Sequence, residues 1–190
     1  MKRLKITFNS PVVLWFAFAS LLVLLLGVAT GFKSTQFLFM TYHSPLNDPL
    51  TYVRFFSHVL GHADGAHFIS NMAYFLLLGP VLEEKYGSVR VLQVICVTAV
   101  VTGVINYLLF PGVALCGASG VCFAFIILTS FTGFREREIP LTLILVAAIF
   151  IGQQVYEGLM IQNDISNMAH IVGGIIGGVF GFLLKRRRRR

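Results

Sequence analysis

Apolar runs recur along the chain with only short polar connectors between them, at about residues 12–32, 67–82, 88–110, 119–134, 139–156 and 165–184. A helix of about 20 apolar residues spans a hydrocarbon core of ~30 Å. In lipid, only helices and closed barrels satisfy their own backbone hydrogen bonds. Hydrophobic residues make up 56% of the 190 and charged residues 12%, which excludes a soluble globular domain. The expected fold is therefore an all-α polytopic membrane protein, a single membrane domain over residues 1–190 with six spans and a basic tail at 185–190. The first run is too long for a signal-peptide core and has no small-residue cleavage site behind it, so it is expected to be a retained span.

Charge gives this chain an expected orientation. Of the fifteen Lys and Arg residues, only Lys33 and Arg54 fall in outward connections. Lys2, Arg3, Lys5, Lys85, Arg90, Arg135, Arg137 and the run from Lys185 to Arg190 all fall on the other side. Basic residues mark the cytoplasmic side, so the expected location is the cell membrane with both termini cytoplasmic. The terminal arginine run reads as an anchor touching anionic lipid headgroups. A nucleic-acid partner is not expected, because nothing beside the run reads a base.

The fourth span is short. From Ser119 to Arg135 a helix rises only roughly 24 Å, less than the core is thick. Its start is expected below the outer surface, reached by a re-entrant loop formed by residues 111–117. Non-helical backbone at that depth requires protein or water around it, so a water-accessible cavity is expected above Ser119. The long connection from Lys33 to Ala66 is expected to contain short interfacial helices.

Four polar residues lie within about one helical turn of the same depth when counted from the inner ends of their spans: Ser119, His170, His67 and Asn71. Strongly polar groups inside a bilayer are costly and mark function. Their chemistry points to amide hydrolysis. Ser119 supplies a nucleophile and His170, the single histidine of the later spans, a general base. The Ser119 backbone N–H, the Asn71 amide and His67 are candidate donors to an oxyanion. Asp164 stands six residues before His170, off the helical spacing, and no carboxylate is expected inside a span, so a dyad fits better than a triad.

Other readings are weaker. His58 and His62 share an i, i+4 face, as metal ligands would, but no carboxylate completes a set with them and His67, so no metal is expected. An aspartyl protease needs two aspartates within spans, and Asp48, Asp64 and Asp164 all fall in expected loops. Cys96, Cys116 and Cys122, in apolar or near-apolar settings, suggest neither a disulfide framework nor a zinc site, and Cys116, three residues before Ser119, reads as a small packing residue. Gly177 and Gly181 lie below His170 on one face of the sixth span, with Gly173 close to it; the fourth span offers Gly120 and Ala124, and close packing of the two would bring His170 within reach of Ser119. A simple helix-pair contact accounts for these glycines but not for the histidine.

From about Arg54 to Phe182 the chain resembles the rhomboid family. The motifs are Gly117-Ala118-Ser119-Gly120, Ala169-His170-Ile171-Val172-Gly173 and His67-Phe68-Ile69-Ser70-Asn71. His58 and His62 precede the last of these as in bacterial members, and Asn167 matches an asparagine shortly before the family's histidine. Glu83, followed by Gly87, matches a glutamate that ties the inner end of the second span. Two positions depart: Val53 stands before Arg54 where members often have tryptophan, and Phe123 replaces a tyrosine under the histidine. Phenylalanine keeps the ring face and loses the hydroxyl. The resemblance implies a six-helix bundle that cuts transmembrane proteins near the outer surface through Ser119 and His170. It further implies Gly117, His67 and Asn71 around the oxyanion, and no cofactor. The alternative is a non-catalytic relative that binds transmembrane helices as a chaperone or dislocation factor. The sequence sets no oligomeric state.

Overall fold

A computed structural model of the protein describes residues 7–132, 141–160 and 164–187. Among these the regular structure is helical, apart from one isolated antiparallel bridge between Thr41 and Leu115. The helices are α1 (Pro11–Ala29), α2 (Lys33–Leu38), α3 (Pro49–Ser57), α4 (Gly65–Tyr86), α5 (Ser88–Leu109), α6 (Ser119–Ser130), α7 (Leu141–Met160) and α8 (Asp164–Arg187). A 3₁₀ turn, His58–Leu60, follows α3. Among the described residues four helices are long and apolar enough to cross a membrane: α1, α4, α5 and, within α8, Asn167–Leu184. The 12 residues of α6 give roughly 18 Å of rise.

Helix ends follow local chemistry that hydropathy alone does not show. Asp64 caps α4, its Oδ1 accepting the His67 N–H at 2.7 Å, so the helix begins ahead of the expected residue 67. It ends at Gly87, where φ is 84°. Consequently Glu83 and Glu84 lie inside α4, which corrects the expectation that no carboxylate sits within a spanning helix. Glu83 is buried, and its oxygens accept the N–H groups of Val12 and Val13 at 3.0 and 3.1 Å and the Ser88 hydroxyl at 2.6 Å. It thus caps the start of α1, where Ser10 offers no side-chain bond. At the other end of α1, Gly31 and Phe32 turn into the left-handed region and close the helix at Ala29 instead of residue 32. The α6 helix ends at Ser130, short of the expected 134; residues 133–134 and 139–140 of the expected spans lie outside the described residues. The α7 helix continues past Tyr156 to Met160, and Asp164, expected in a loop, is the first residue of α8.

The core gathers on α6, which packs against α4, α5, α7 and, most extensively, α8. Val121, Ala124, Phe125 and Leu128 are fully buried, with Phe125 stacked on Phe75 of α4 at 5.0 Å. At the α8 contact, a Cβ added to Gly173 would sit 2.0 Å from the Gly120 carbonyl oxygen, and one at Gly177 would sit 2.3 Å from that of Ala124. Only glycine permits this backbone approach. All three of Gly173, Gly177 and Gly181 lie on the contact face.

The first connection folds back onto the bundle. Arg54 is buried, donating from Nε to the Phe37 carbonyl at 2.9 Å, pairing with Asp48 and lying over the Tyr42 ring. His58 donates from Nε2 to the Ala99 carbonyl at 3.0 Å, and His62 from Nδ1 to that of Leu60 at 3.1 Å. The remaining nitrogen of each ring is buried with no partner among the described residues. Protonation would place an N–H⁺ there with no acceptor, and burial pushes both imidazoles down to about 4.

Both folded-state values lie below the ordinary ~6.5, so the unfolded chain binds more protons between those limits. Their contribution to stability is complete above pH ~6.5 and is lost as the pH falls through about 4, at up to ~3 kcal/mol for each imidazole. Circular-dichroism melting in detergent is expected to show a falling Tm across that window, with a shallower slope in His58→Gln. Identical slopes for the two proteins contradict a buried neutral His58.

Candidate active site

Four short structural pieces converge on one cavity. Ser119 is the first residue of α6, behind a segment held from three sides. Thr41 and Leu115 exchange backbone bonds at 2.9 and 2.8 Å, Asn106 Nδ2 donates to the Val113 carbonyl at 3.1 Å, and the Gly117 N–H donates to the His58 carbonyl at 2.9 Å. Gly117 adopts φ 123°, a conformation that favours glycine, and a Cβ there would lie 2.7 Å from the His67 ring. The residue is required by both backbone and space.

The cavity has a volume of about 520 Å³. It is lined by His67, Ser70, Asn71 and Tyr74 of α4, by Ser119, Cys122, Phe123 and Ile126 of α6, by Val146, Ile149 and Gln153 of α7, and by His170 of α8. Ser119, His170, His67 and Asn71 therefore share one space. Phe123 packs on His170 with ring centroids 4.1 Å apart and planes tilted 40°. None of the described lining residues is a carboxylate.

Hydrogen bonds around the cavity set which groups face it as donors. The Nδ1 of His67 accepts from the Ala63 N–H at 3.4 Å, which leaves Nε2 as the protonated nitrogen, on the side of Gly117. The His62 ring meets His67 edge-on at 5.2 Å. Asn71 is a residue of the cavity wall, and its Nδ2 is buried there with no partner among the described residues. A buried amide without a partner is costly and is retained where something else is to be bound.

The remaining predicted residues lie off the cavity. His58 and His62 hold the first connection, Glu83 caps α1, and Gly173 and Gly177 form the α8 contact. Asn167 is buried on α8 without lining the cavity. Burial pushes the Cys116 thiol up to about 11, as suits an inert packing group. Sequence reasoning missed the α7 wall, Ser70, Tyr74, Cys122 and Ile126. Spacing held a signal for two of these: Cys122 follows Ser119 by three residues, and Tyr74 follows Asn71 by three. Gln153, a polar residue in an apolar helix, held another.

The sequence has relatives among known proteins. The family model of the rhomboid domain matches residues 49–187, from α3 to α8. The rhomboid protease GlpG of Haemophilus influenzae is 29% identical over 143 residues, covering 72% of this chain and 71% of that protein. The matched region holds both the serine-bearing and the histidine-bearing helix, and on these grounds the chain belongs to the rhomboid family of intramembrane proteases.

Proposed function

We propose that the protein is a serine endopeptidase that cuts transmembrane segments near their outer ends through a Ser119–His170 dyad. The observation that carries this reading is the cavity that Ser119 and His170 share with Asn71 and His67. In the first half-reaction the Ser119 oxygen bonds to the scissile carbonyl carbon as its proton passes to the His170 imidazole. The carbonyl oxygen, now an oxyanion, accepts from the Asn71 amide, His67 Nε2–H and the Ser119 N–H. Breaking the C–N bond sends that proton to the leaving amine. Water then repeats the sequence on the acyl-serine, releasing a carboxylate and restoring Ser119. The absence of a carboxylate along the described cavity wall supports a dyad over a triad.

The whole chain reads as one membrane unit of six spans, with α6 starting beneath the outer surface and residues 111–117 re-entrant above it. The basic residues put both termini in the cytoplasm and make the cell membrane the location. A protease-sensitive tag after Arg190 is expected to be cut in inside-out vesicles and spared in right-side-out ones. The reverse pattern refutes this orientation.

The substrate must offer extended backbone, because a helix hides its carbonyls in i to i−4 bonds. Membrane spans with Gly or polar residues in the outer third unwind at lower cost, by about 1 kcal/mol for Gly relative to Ala. The test is cleavage in liposomes of a model span carrying Gly, Ala and Ser near its outer end, beside a poly-leucine counterpart. The wild-type protein is expected to cut the first and not the second. Ser119→Ala and His170→Ala each lower the rate by more than about 10³-fold, with membrane insertion intact. Asn71→Ala and His67→Ala lower turnover by up to about 10²–10³-fold with less effect on KM. Wild-type turnover by purified Ser119→Ala would sink the dyad, and equal cleavage of both spans would sink the unwinding requirement.

A further inference from the structure

Cys122 stands three residues after Ser119 on the same helix and is buried at 3% exposure. Its sulfur lies 3.3 Å from the main-chain oxygen of Asn71 and 3.9 Å from Asn71 Oδ1. Both neighbours are acceptors without a proton, so the thiol is the donor of the contact. The bond joins α6 to α4 at Asn71, a residue of the cavity wall.

This contact also decides which way the Asn71 amide faces. With Oδ1 on the sulfur side, Nδ2 points away from Cys122 and toward the segment before Ser119. A Cβ placed on Gly117 would lie 3.6 Å from Nδ2. Turned over, the amide would replace Oδ1, an acceptor for the S–H, with Nδ2, which can meet the sulfur only through a weak N–H···S contact. It would also aim its oxygen at the space where a negative oxygen develops. Both changes are unfavourable. An apolar side chain of the same volume would fill the space without making this distinction.

We infer that Cys122 is a positioning residue: its thiol proton holds the Asn71 carbonyl groups so that Nδ2 is presented to the oxyanion. The inference rests on the Ser119–His170 reading above and adds a residue that touches neither substrate nor the reacting atoms. The thiol stays reduced and neutral throughout and takes no part in bond making.

The test compares Cys122→Ala, Cys122→Val, Cys122→Ser, Asn71→Ala and the double variant Cys122→Ala/Asn71→Ala, with kcat and KM measured in liposomes and melting followed in detergent. Removing the donor, in Cys122→Ala or the volume-keeping Cys122→Val, is expected to lower kcat about three- to ten-fold, the worth of one weak hydrogen bond. KM stays unchanged, and Cys122→Ser, which restores a hydroxyl donor, recovers kcat to within about two-fold. In the Asn71→Ala background, Cys122→Ala has no further effect, because the group it positions is gone. Wild-type kcat in both Cys122→Ala and Cys122→Val overturns the inference. So does an undiminished loss in the Asn71→Ala background, or a failure of serine to rescue, since each marks a packing role. If Asn71→Ala itself keeps full kcat while Ser119→Ala is inactive, the inference falls and the dyad stands. If Ser119→Ala is active, the reading beneath it falls as well.

Discussion

The backbone-to-backbone contact between α6 and α8 governs the rest of the molecule. Lipid gives apolar helices no hydrophobic reason to associate, so contact surfaces that let main chains meet supply the attraction. Here Gly173 lies on Gly120 and Gly177 on Ala124, so closely that a single methyl at either glycine would collide with a carbonyl oxygen. Because α6 and α8 meet at Gly120 and Gly173, Ser119 and His170, one and three residues earlier, emerge at the same level of the cavity. The register of the two helices thus sets how the serine and the histidine sit relative to one another.

The other contacts prevent that pair from drifting. From above, the His58 carbonyl holds the Gly117 N–H and the His58 ring holds α5, so the segment before Ser119 is fixed to a second helix. The Thr41–Leu115 bridge adds the first connection, itself locked by Arg54 against Phe37 and Asp48. At the far end, Glu83 binds α1 to α4 through two backbone N–H groups. Lys85 donates to the Thr132 carbonyl just past the end of α6. Polar atoms therefore do most of the tying, while the apolar surface faces outward: Trp15, Leu77, Leu109 and Ile175 are among the exposed side chains, as a bilayer requires.

Much of this was legible in the sequence. Long apolar runs fix helices in lipid, and an isolated polar residue in such a run has few physical reasons to be there. That logic found Ser119, His170, His67 and Asn71, and the glycines beneath His170. It did not find the α7 wall, because residues 143–152 are apolar all round and carry no period to say which face turns inward, and Gln153 was passed over. Val146 and Ile149 look like any lipid-facing residue. Cys122 read as small and hydrophobic, and its donor role appears only once α4 stands beside it. Glu83 was legible as an inner-end tie, but its partners, seventy residues away in α1, follow from tertiary packing alone. Helix ends moved where a cap or a positive φ overrode hydropathy, as at Asp64, Gly31 and Gly87.

The central claim is that the α6–α8 contact aligns the serine with the histidine, and two neighbouring glycines separate that claim from general destabilisation. A Cβ at Gly177 would meet the Ala124 carbonyl oxygen at 2.3 Å, whereas one at Gly178 would meet only Ile127 at 3.9 Å. The measurement is the rate at which a fluorophosphonate probe labels Ser119 in Gly177→Val and Gly178→Val. Forcing the helices apart by about 1 Å is expected to slow labelling by about 10²-fold in Gly177→Val. Gly178→Val is expected to label at nearly the wild-type rate. Full labelling of a folded Gly177→Val protein contradicts the account.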